Sequence, residues 1–261
     1  MLAPGPFSAD QIPDGSRYEV SDGHAILCLP SGRRGARSNL LGGEVLETDP
    51  AVVSAGVDLG YSSGPRELRA PDVAVGDFPN EPGWTSVAPP LALEYADTGQ
   101  DEAELQDKIK ELLGAGTKHI WVVRLTGPRR VEVYEPGKTM RIAHPGAELL
   151  APGILQNPVA VLALFDRDAA HEATLRNLLQ RRGYNSLDAV RDEGRDEGRD
   201  EGRDEGQLTH ARAALRRVLA RRGLTLTSAD MARIDECADL ATLDRWLDEA
   251  VVAPSVADAL R

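Results

Sequence analysis

The stretch Leu91-Ala-Leu-Glu-Tyr-Ala96 decides the fold, together with the segments on either side of it. Before it lies a second short apolar run, Pro71-Asp-Val-Ala-Val-Gly76, and after it comes a helical pattern over about 101–115. The apolar run His119-Ile-Trp-Val-Val-Arg-Leu125 follows the helix. A strand, a helix and a strand in this order predict a crossover between two parallel strands. The sequence therefore predicts an α/β fold.

The helix predicted over 101–115 carries one lysine at the border of its apolar face. Acids at its start and glycines at its end mark its limits. Lys108 lies beside the apolar stripe, whereas Lys110 falls on the opposite, solvated face. The stripe itself consists of Leu105, Ile109, Leu112 and Leu113.

Side-chain alternation places both strand acids, Asp72 and Glu94, among small neighbours. Each shares its strand face with alanine or glycine two residues away. A divalent cation brings waters and a phosphate with it, so this space suits a metal-binding carboxylate. For either acid alone, a surface or capping role is the ordinary alternative.

Two acids on strands and a lysine on the next helix are the minimum set for metal-assisted cleavage of a phosphodiester. Asp72 and Glu94 would hold a metal ion, which lowers the pKa of a bound water and acts as a Lewis acid. Lys108 would orient that water or stabilise charge on the phosphate. For Lys108 alone, the alternative is a side chain that extends along apolar surface to reach solvent.

Six segments in a fixed order carry a family resemblance, although none is diagnostic by itself. They are Tyr18-Glu-Val-Ser-Asp-Gly23, Pro71-Asp-Val-Ala-Val75, Pro89-Pro-Leu-Ala-Leu-Glu94, Lys108 with Gly116, His119-Ile-Trp-Val-Val123 and Val131-Glu-Val-Tyr134. The stretch from Tyr18 to about Phe165, a little over half of the chain, resembles the Uma2 family of bacterial restriction-endonuclease-like proteins.

The resemblance implies the PD-(D/E)xK nuclease fold, a mixed central sheet flanked by helices. It makes Asp72 and Glu94 the ligands of Mg²⁺ or Mn²⁺ and Lys108 the catalytic lysine. The expected activity is a metal-dependent endonuclease, a hydrolase acting on DNA. The resemblance also implies a homodimer, because nucleases of this fold often pair to cut two strands.

The chain departs from the family pattern at three places. Ala96 stands where the broad fold signature has its lysine, so Lys108 on the following helix must take that role. Leu112 replaces a tyrosine of that helix, and Pro30-Ser-Gly-Arg-Arg-Gly35 stands where a histidine is common. The alternative is therefore a catalytically weak or inactive nuclease-fold protein that binds a protein partner through its C-terminal helices.

Further residues around the predicted first hairpin and helix are weaker candidates. Tyr18–Leu29 predicts a hairpin that turns at Asp22-Gly23, followed by a helix over about 36–47. Glu19 and Glu44 are auxiliary acids for which we expect a surface role. The basic cluster formed by Arg33, Arg34 and Arg37 is expected in a solvated loop, with contact to a phosphate backbone as the alternative.

The chain divides into four predicted parts. Residues 1–166 form the nuclease-like domain, 167–190 a helical connector, 191–206 a repeat linker and 207–261 an all-helical extension. The linker consists of four copies of Arg-Asp-Glu-Gly. Because each glycine costs a helix about 1 kcal/mol relative to alanine, we expect a solvated linker that fluctuates between helix and coil. A continuous spacer helix is the alternative.

Composition limits the location and partners of the protein. The net charge of −12 argues against a general nucleic-acid coat protein, because binding through counterion release needs a basic surface. No apolar run approaches the length of a membrane span, and the segment Met1–Phe7 lacks the features of a signal peptide. With two distant cysteines and no disulfide framework, the sequence predicts a cytoplasmic protein.

Overall fold

The computed structural model of the protein describes residues 5–261. The first four residues of the predicted 1–166 domain, and with them part of Met1–Phe7, lie outside the described residues. The chain packs as two compact units that divide after Ser186.

The first unit contains twelve strands and three α-helices among its described residues. The strands are β1 Tyr18–Ser21, β2 His24–Leu27, β3 Ser54–Val57, β4 Tyr61–Gly64, β5 Glu67–Arg69, β6 Val73–Gly76, β7 Leu91–Ala96, β8 His119–Arg124, β9 Arg130–Tyr134, β10 Arg141–Ala143, β11 Glu148–Leu149 and β12 Val159–Ala160. The helices are α1 Arg33–Glu47, α2 Glu102–Ala115 and α3 Arg167–Arg181.

Six strands form a central mixed sheet in the order β10-β9-β8-β7-β6-β3. The β7 and β8 strands are parallel and every other neighbouring pair is antiparallel. Helix α2 connects the parallel pair, so the predicted crossover is confirmed. Asp101 caps α2 by accepting hydrogen bonds from the first-turn amides, and Gly116 ends it at a φ of 114°, which favours glycine.

Helices cover both faces of the central sheet. One apolar core lies between the sheet and helices α1 and α3, and a second lies between the opposite face and α2. The Arg181 guanidinium of α3 donates to the carbonyl oxygens of Glu47 and Thr48 at 2.8 and 2.9 Å, which satisfies the free C-terminal end of α1. The mixed α/β architecture expected from the sequence is confirmed.

A smaller antiparallel sheet lies in the order β2-β1-β5-β4. Its β1–β2 hairpin turns at Asp22 and Gly23, whose φ values of 45° and 78° are those of a tight two-residue turn. The predicted hairpin is therefore confirmed. Strand β5 pairs with β1 and is followed after a short link by β6 of the central sheet. The two sheets consequently meet where the candidate acids lie.

Helix α1 approaches strand β7 most closely at Gly42. A Cβ atom at this position would collide with the Tyr95 hydroxyl and would lie 2.6 Å from Leu93 Cδ2. A Cβ atom at the neighbouring Gly43 would lie 3.4 Å from Val57 Cγ2, which is ordinary contact. The lack of a side chain at Gly42 thus lets α1 pack onto the strand that carries Glu94.

Replacing Gly42 by alanine is expected to destabilise the protein by about 1–3 kcal/mol, because the added methyl group overpacks the interface. The matched Gly43→Ala variant should be neutral or more stable by up to about 1 kcal/mol, from helix propensity alone. Urea unfolding of the two variants measures the difference. Equal stability of both would contradict the close approach at Gly42.

The second unit is entirely helical. Its helices are α4 Leu187–Arg221, α5 Ser228–Glu236, α6 Leu240–Val252 and α7 Val256–Ala259. Leu215, Leu219, Leu243 and Trp246 are buried together and form the core of this unit. Thr227 begins α5 with a capping box.

The four Arg-Asp-Glu-Gly copies lie within α4 and are solvent-exposed. Of the two alternatives for the repeat, the structure has the continuous helix. Ion pairs three residues apart recur along it, for example Arg195 with Asp192 at 3.5 Å and Arg203 with Asp200 at 3.2 Å. Such pairs return a few tenths of a kcal/mol each and partly offset the glycines.

The predicted division at residues 166, 190 and 206 stays a prediction. Two observations bear on it. Helix α3, placed in the predicted connector, packs on α1 within the first unit. Helix α4 runs without a break from the predicted connector through the repeat into the C-terminal part.

Replacing Gly194, Gly198, Gly202 and Gly206 together by alanine tests the helical repeat. All four positions face open space, so the methyl groups meet no obstacle. Each substitution favours the helix by about 1 kcal/mol. The helical circular-dichroism signal at low temperature should stay unchanged while its thermal midpoint rises. A large gain of signal at low temperature would mean that the natural repeat is not helical.

Candidate active site

The three candidate residues lie on three neighbouring elements. Asp72 immediately precedes β6, Glu94 lies in the middle of β7, and Lys108 lies on α2. Strand β7 is between β6 and β8, and its face that carries Glu94 is the one covered by α2. The alternation of the strands therefore turns Glu94 toward the helix that carries Lys108.

The Lys108 ammonium is buried in a set of oxygen atoms. Its Nζ lies 2.9 Å from Glu94 Oε1 and 3.3 Å from Glu19 Oε1, and it donates to the Ala70 carbonyl oxygen at 2.8 Å. The predicted orientation is confirmed, because Lys108 is only 8% exposed whereas Lys110 is exposed and pairs with Asp107. The helix thus brings its lysine to the sheet.

Asp72 is fixed by two hydrogen bonds from different elements. The Asn39 side-chain amide of α1 donates to Oδ1 at 3.1 Å, and the Tyr95 backbone N–H donates to Oδ2 at 2.6 Å. Tyr95 directly follows Glu94 on β7, so the same strand orients both acids. Asp72 is half-buried, in contrast to the buried Glu94, and it gives the cluster its more accessible carboxylate.

Glu19 is the functional candidate that the sequence analysis placed wrongly. It was expected on the surface, but it is buried on β1 with 7% of its surface exposed. Its second carboxylate oxygen, Oε2, lies 3.0 Å from Arg69 NH1, and Arg69 on β5 is itself fully buried. The family segment that begins at Tyr18 included Glu19, but nothing in that pattern indicated burial. Arg69 carried no sequence pattern at all.

The pKa shifts divide the acids around Lys108 into two groups. Burial raises the pKa of Glu94 to about 8; Lys108 opposes the shift and the charge of Asp72 adds to it. Burial likewise raises the pKa of Asp72. Burial also disfavours the Glu19 carboxylate, yet Lys108 and Arg69 more than offset this and hold its pKa below the ordinary value. The pKa of Lys108 is raised, because the carboxylates outweigh the effect of burial.

Glu19 is therefore the acid near Lys108 whose charged form is favoured, and Glu94 is the one whose charged form is disfavoured. Burial is the main cause of the raised pKa of Glu94 and Asp72, and neighbouring carboxylates add to it; a bound cation would favour both charged forms. Burial and the charge of Asp72 likewise raise the pKa of Asp58. No sequence pattern marked Asp58.

The donor set fits a magnesium or manganese ion of the kind that nucleases use. Within residues 5–261 no group of three or more His, Cys, Asp or Glu side chains is arranged to hold a metal. Mg²⁺ needs no such cage, because one or two carboxylates together with waters and substrate phosphate commonly suffice. Asp72 and Glu94 supply two hard oxygen donors whose charged forms are disfavoured by burial, so a cation beside them would stabilise both.

The arginine cluster lies on a helix and not in the expected loop. Arg33, Arg34 and Arg37 occupy the first two turns of α1 and are exposed. Arg34 forms an ion pair with Asp97, just beyond the end of β7. Asn39, which donates a hydrogen bond to Asp72, also lies on α1. The exposed arginines and this direct partner of the site therefore share one helix.

Comparison with known families identifies the family to which the chain belongs. The Uma2 family, described as "Putative restriction endonuclease", matches residues 7–162. The chain belongs to the Uma2 family. This Uma2 protein is also similar to a solved structure described as a putative nuclease belonging to DUF820 from Anabaena variabilis ATCC 29413. The two share 19% identity with a TM-score of 0.54 over 63% of this chain and 99% of the other.

The solved structure supports the fold of this Uma2 protein. At that identity the similarity concerns the fold alone. No curated protein matches the chain. Across residues 5–261, none of the helices combines the length and apolar character that crossing a membrane requires.

The raised pKa of Glu94 predicts a pH-dependent stability difference between this Uma2 protein and its Glu94→Gln variant in EDTA. Folded Glu94 holds its proton up to about pH 8, whereas the unfolded chain releases it near the ordinary value of 4.5. Its contribution is fully present below the unfolded value and is lost as pH rises through the folded value. The free energy of unfolding of the natural protein should therefore fall relative to the variant over this range.

Glu132 provides a control, because the stability difference between the natural protein and the Glu132→Gln variant should change with pH in the opposite direction. Burial disfavours its carboxylate, but hydrogen bonds from Arg124 lower its pKa below the ordinary value. The natural protein should therefore lose stability relative to Glu132→Gln as pH falls through the folded pKa. Urea unfolding across the pH series measures both differences. A stability difference between the natural protein and Glu94→Gln that does not change with pH would contradict a raised pKa of Glu94.

Proposed function

We propose that the protein is a metal-dependent endonuclease that hydrolyses DNA phosphodiester bonds. The observation that carries the proposal is the buried contact of 2.9 Å between Lys108 Nζ and Glu94 Oε1, beside the fixed carboxylate of Asp72. A lysine that instead pointed away from both acids would have favoured a protein without this chemistry. Membership of the Uma2 family supports the same reaction class.

Asp72 and Glu94 would hold Mg²⁺ or Mn²⁺. When bound, the ion supplies charge neutralisation and a more acidic water. Asp72 is positioned for this by Asn39 and by the Tyr95 backbone, so it needs little rearrangement. Glu94 would bind a metal ion as the carboxylate, and the neighbouring ammonium of Lys108 favours that form.

Lys108 provides the charged donor of the site. Its pKa is raised, so its ammonium stays protonated. An ammonium in a buried, water-poor setting stabilises phosphate charge more strongly than it does in water. It would orient the attacking water and stabilise the negative charge that develops on the phosphate. The position usual for the lysine of this fold is Ala96, and Lys108 reaches the acids from α2 in its place.

DNA is proposed as the substrate despite the net charge of −12. Sequence-independent binding of DNA needs local positive charge. The exposed arginines 33, 34 and 37 provide such charge on the helix whose Asn39 contacts Asp72. Cutting both strands needs two sites, which the homodimer implied by the family resemblance would supply.

Cleavage of a supercoiled plasmid in the presence of Mg²⁺ or Mn²⁺ tests the proposal. The natural protein should nick the plasmid, EDTA should stop the reaction, and Asp72→Ala should abolish it. Lys108→Ala should lower the rate about 10²-fold or more, because the main charged donor is lost. Lys110→Ala on the same helix should cleave normally, since this exposed lysine contacts Asp107 and not the site.

Metal binding is measured separately by titration calorimetry with Mn²⁺. Glu94→Gln should bind the ion more weakly than the natural protein, whereas Lys110→Ala should be unaffected. Cleavage by the Asp72→Ala variant would contradict the assignment of Asp72 as a metal ligand. Metal binding without any cleavage would favour the inactive nuclease-fold alternative. The C-terminal leucines and Trp246 do not favour that alternative, because they form a core instead of a docking surface.

A further inference from the structure

The buried charges around Lys108 form a chain that continues away from the two proposed metal ligands. Besides Glu94, Lys108 contacts Glu19 Oε1 at 3.3 Å. The other oxygen of Glu19 contacts Arg69 at 3.0 Å. Neither Glu19 nor Arg69 contacts Asp72 or Glu94 through a hydrogen bond or ion pair among the described residues.

Arg69 is held in turn by the helix that carries Lys108. Its NH1 lies 2.9 Å from Glu104 Oε1, and its Nε lies 2.5 Å from Glu111 Oε2. Glu104 and Glu111 stand four residues before and three residues after Lys108, so all three share one stripe of α2. The guanidinium therefore ties β5 to α2 on both sides of the lysine.

The alternative partners of Lys108 show what this arrangement achieves. A lysine has four flexible side-chain bonds, and its ammonium goes to the strongest nearby acceptors. Without Glu19, Glu94 would be the one carboxylate left within ion-pair distance of Lys108 among residues 5–261, beside the Ala70 carbonyl oxygen. The ammonium, already 2.9 Å from Glu94 Oε1, would then lack the second carboxylate that holds it between the two acids, and its position relative to water or phosphate would be less fixed.

We propose that Glu19, itself held by Arg69, is a positioning residue that fixes the Lys108 ammonium for phosphodiester cleavage. The inference rests on the proposed nuclease function and goes one step beyond it. Glu19 is 7% exposed and would not touch the substrate. Its loss should therefore change kcat and leave KM for DNA nearly unchanged.

Two substitutions of Glu19 separate the effect of its charge from the effect of its side-chain length. Glu19→Gln keeps the shape of the side chain and removes its charge, while Glu19→Asp keeps the charge and withdraws it from Lys108. Each should lower kcat about 10- to 100-fold, since small displacements of a catalytic group have effects of this size. Glu132→Gln is the matched control, because it disrupts another buried ion pair, with Arg124, outside the site. It should leave kcat and KM unchanged.

A second measurement does not depend on nuclease activity. Acetic anhydride acylates the neutral amine of an accessible lysine, so burial and a carboxylate partner that keeps the ammonium protonated both protect it. Mass spectrometry compares Lys108 with the exposed Lys110 of the same molecule. Lys108 should be protected in the natural protein and in Glu132→Gln, and it should be acetylated more readily in both Glu19 variants. Circular dichroism confirms that each variant is folded, and Glu19→Asp serves if Glu19→Gln does not fold.

The outcomes distinguish the two proposals. Lower kcat with unchanged KM and greater acetylation of Lys108 supports the positioning role. Natural kcat in both Glu19 variants, or continued protection of Lys108, overturns it. If the natural protein cleaves no DNA, the nuclease function fails, and the acetylation result alone decides whether Glu19 positions Lys108.

Discussion

Burial of the Lys108 ammonium is the constraint on which the site depends. An isolated buried charge is too costly to persist, so the surrounding chain must supply negative partners with good geometry. Here they come from three separate elements: Glu19 from β1, Glu94 from β7 and the carbonyl oxygen of Ala70 from the link between β5 and β6. Both sheets and helix α2 are therefore joined at one amine, and a shift of any of them would leave a charge unmatched.

The sequence predicted the part of this arrangement that follows from local periodicity. Strand alternation placed Glu94 among small neighbours, and helical spacing selected Lys108 over Lys110. The parallel pairing of β7 and β8 followed from the intervening helix. These features repeat with a fixed period along the chain, so a single sequence is enough to infer them.

The remaining part depends on contacts between distant segments. Arg69 meets Glu19 across fifty residues and Glu111 across forty-two, and no periodic pattern links such positions. The burial of Glu19 depends on β5 lying beside β1, and β5 has only three residues. The arginines near residue 35 were misplaced for another reason: α1 begins before its apolar spacing does, so its first turn resembles a loop in sequence.

Helix α4 gives the four-residue repeat a geometric meaning. At 1.5 Å per residue and about 100° of rotation, one Arg-Asp-Glu-Gly copy advances the helix by about 6 Å and turns it by roughly 40° beyond a full revolution. Gain or loss of a single copy would thus change both the distance along the helix and the angle around it between Leu187 and Leu215, which lies in the helical core. The Arg–Asp pairs within the other copies would remain. The number of copies therefore sets this distance and this angle in discrete steps, without any change to the sequence at either end of the helix.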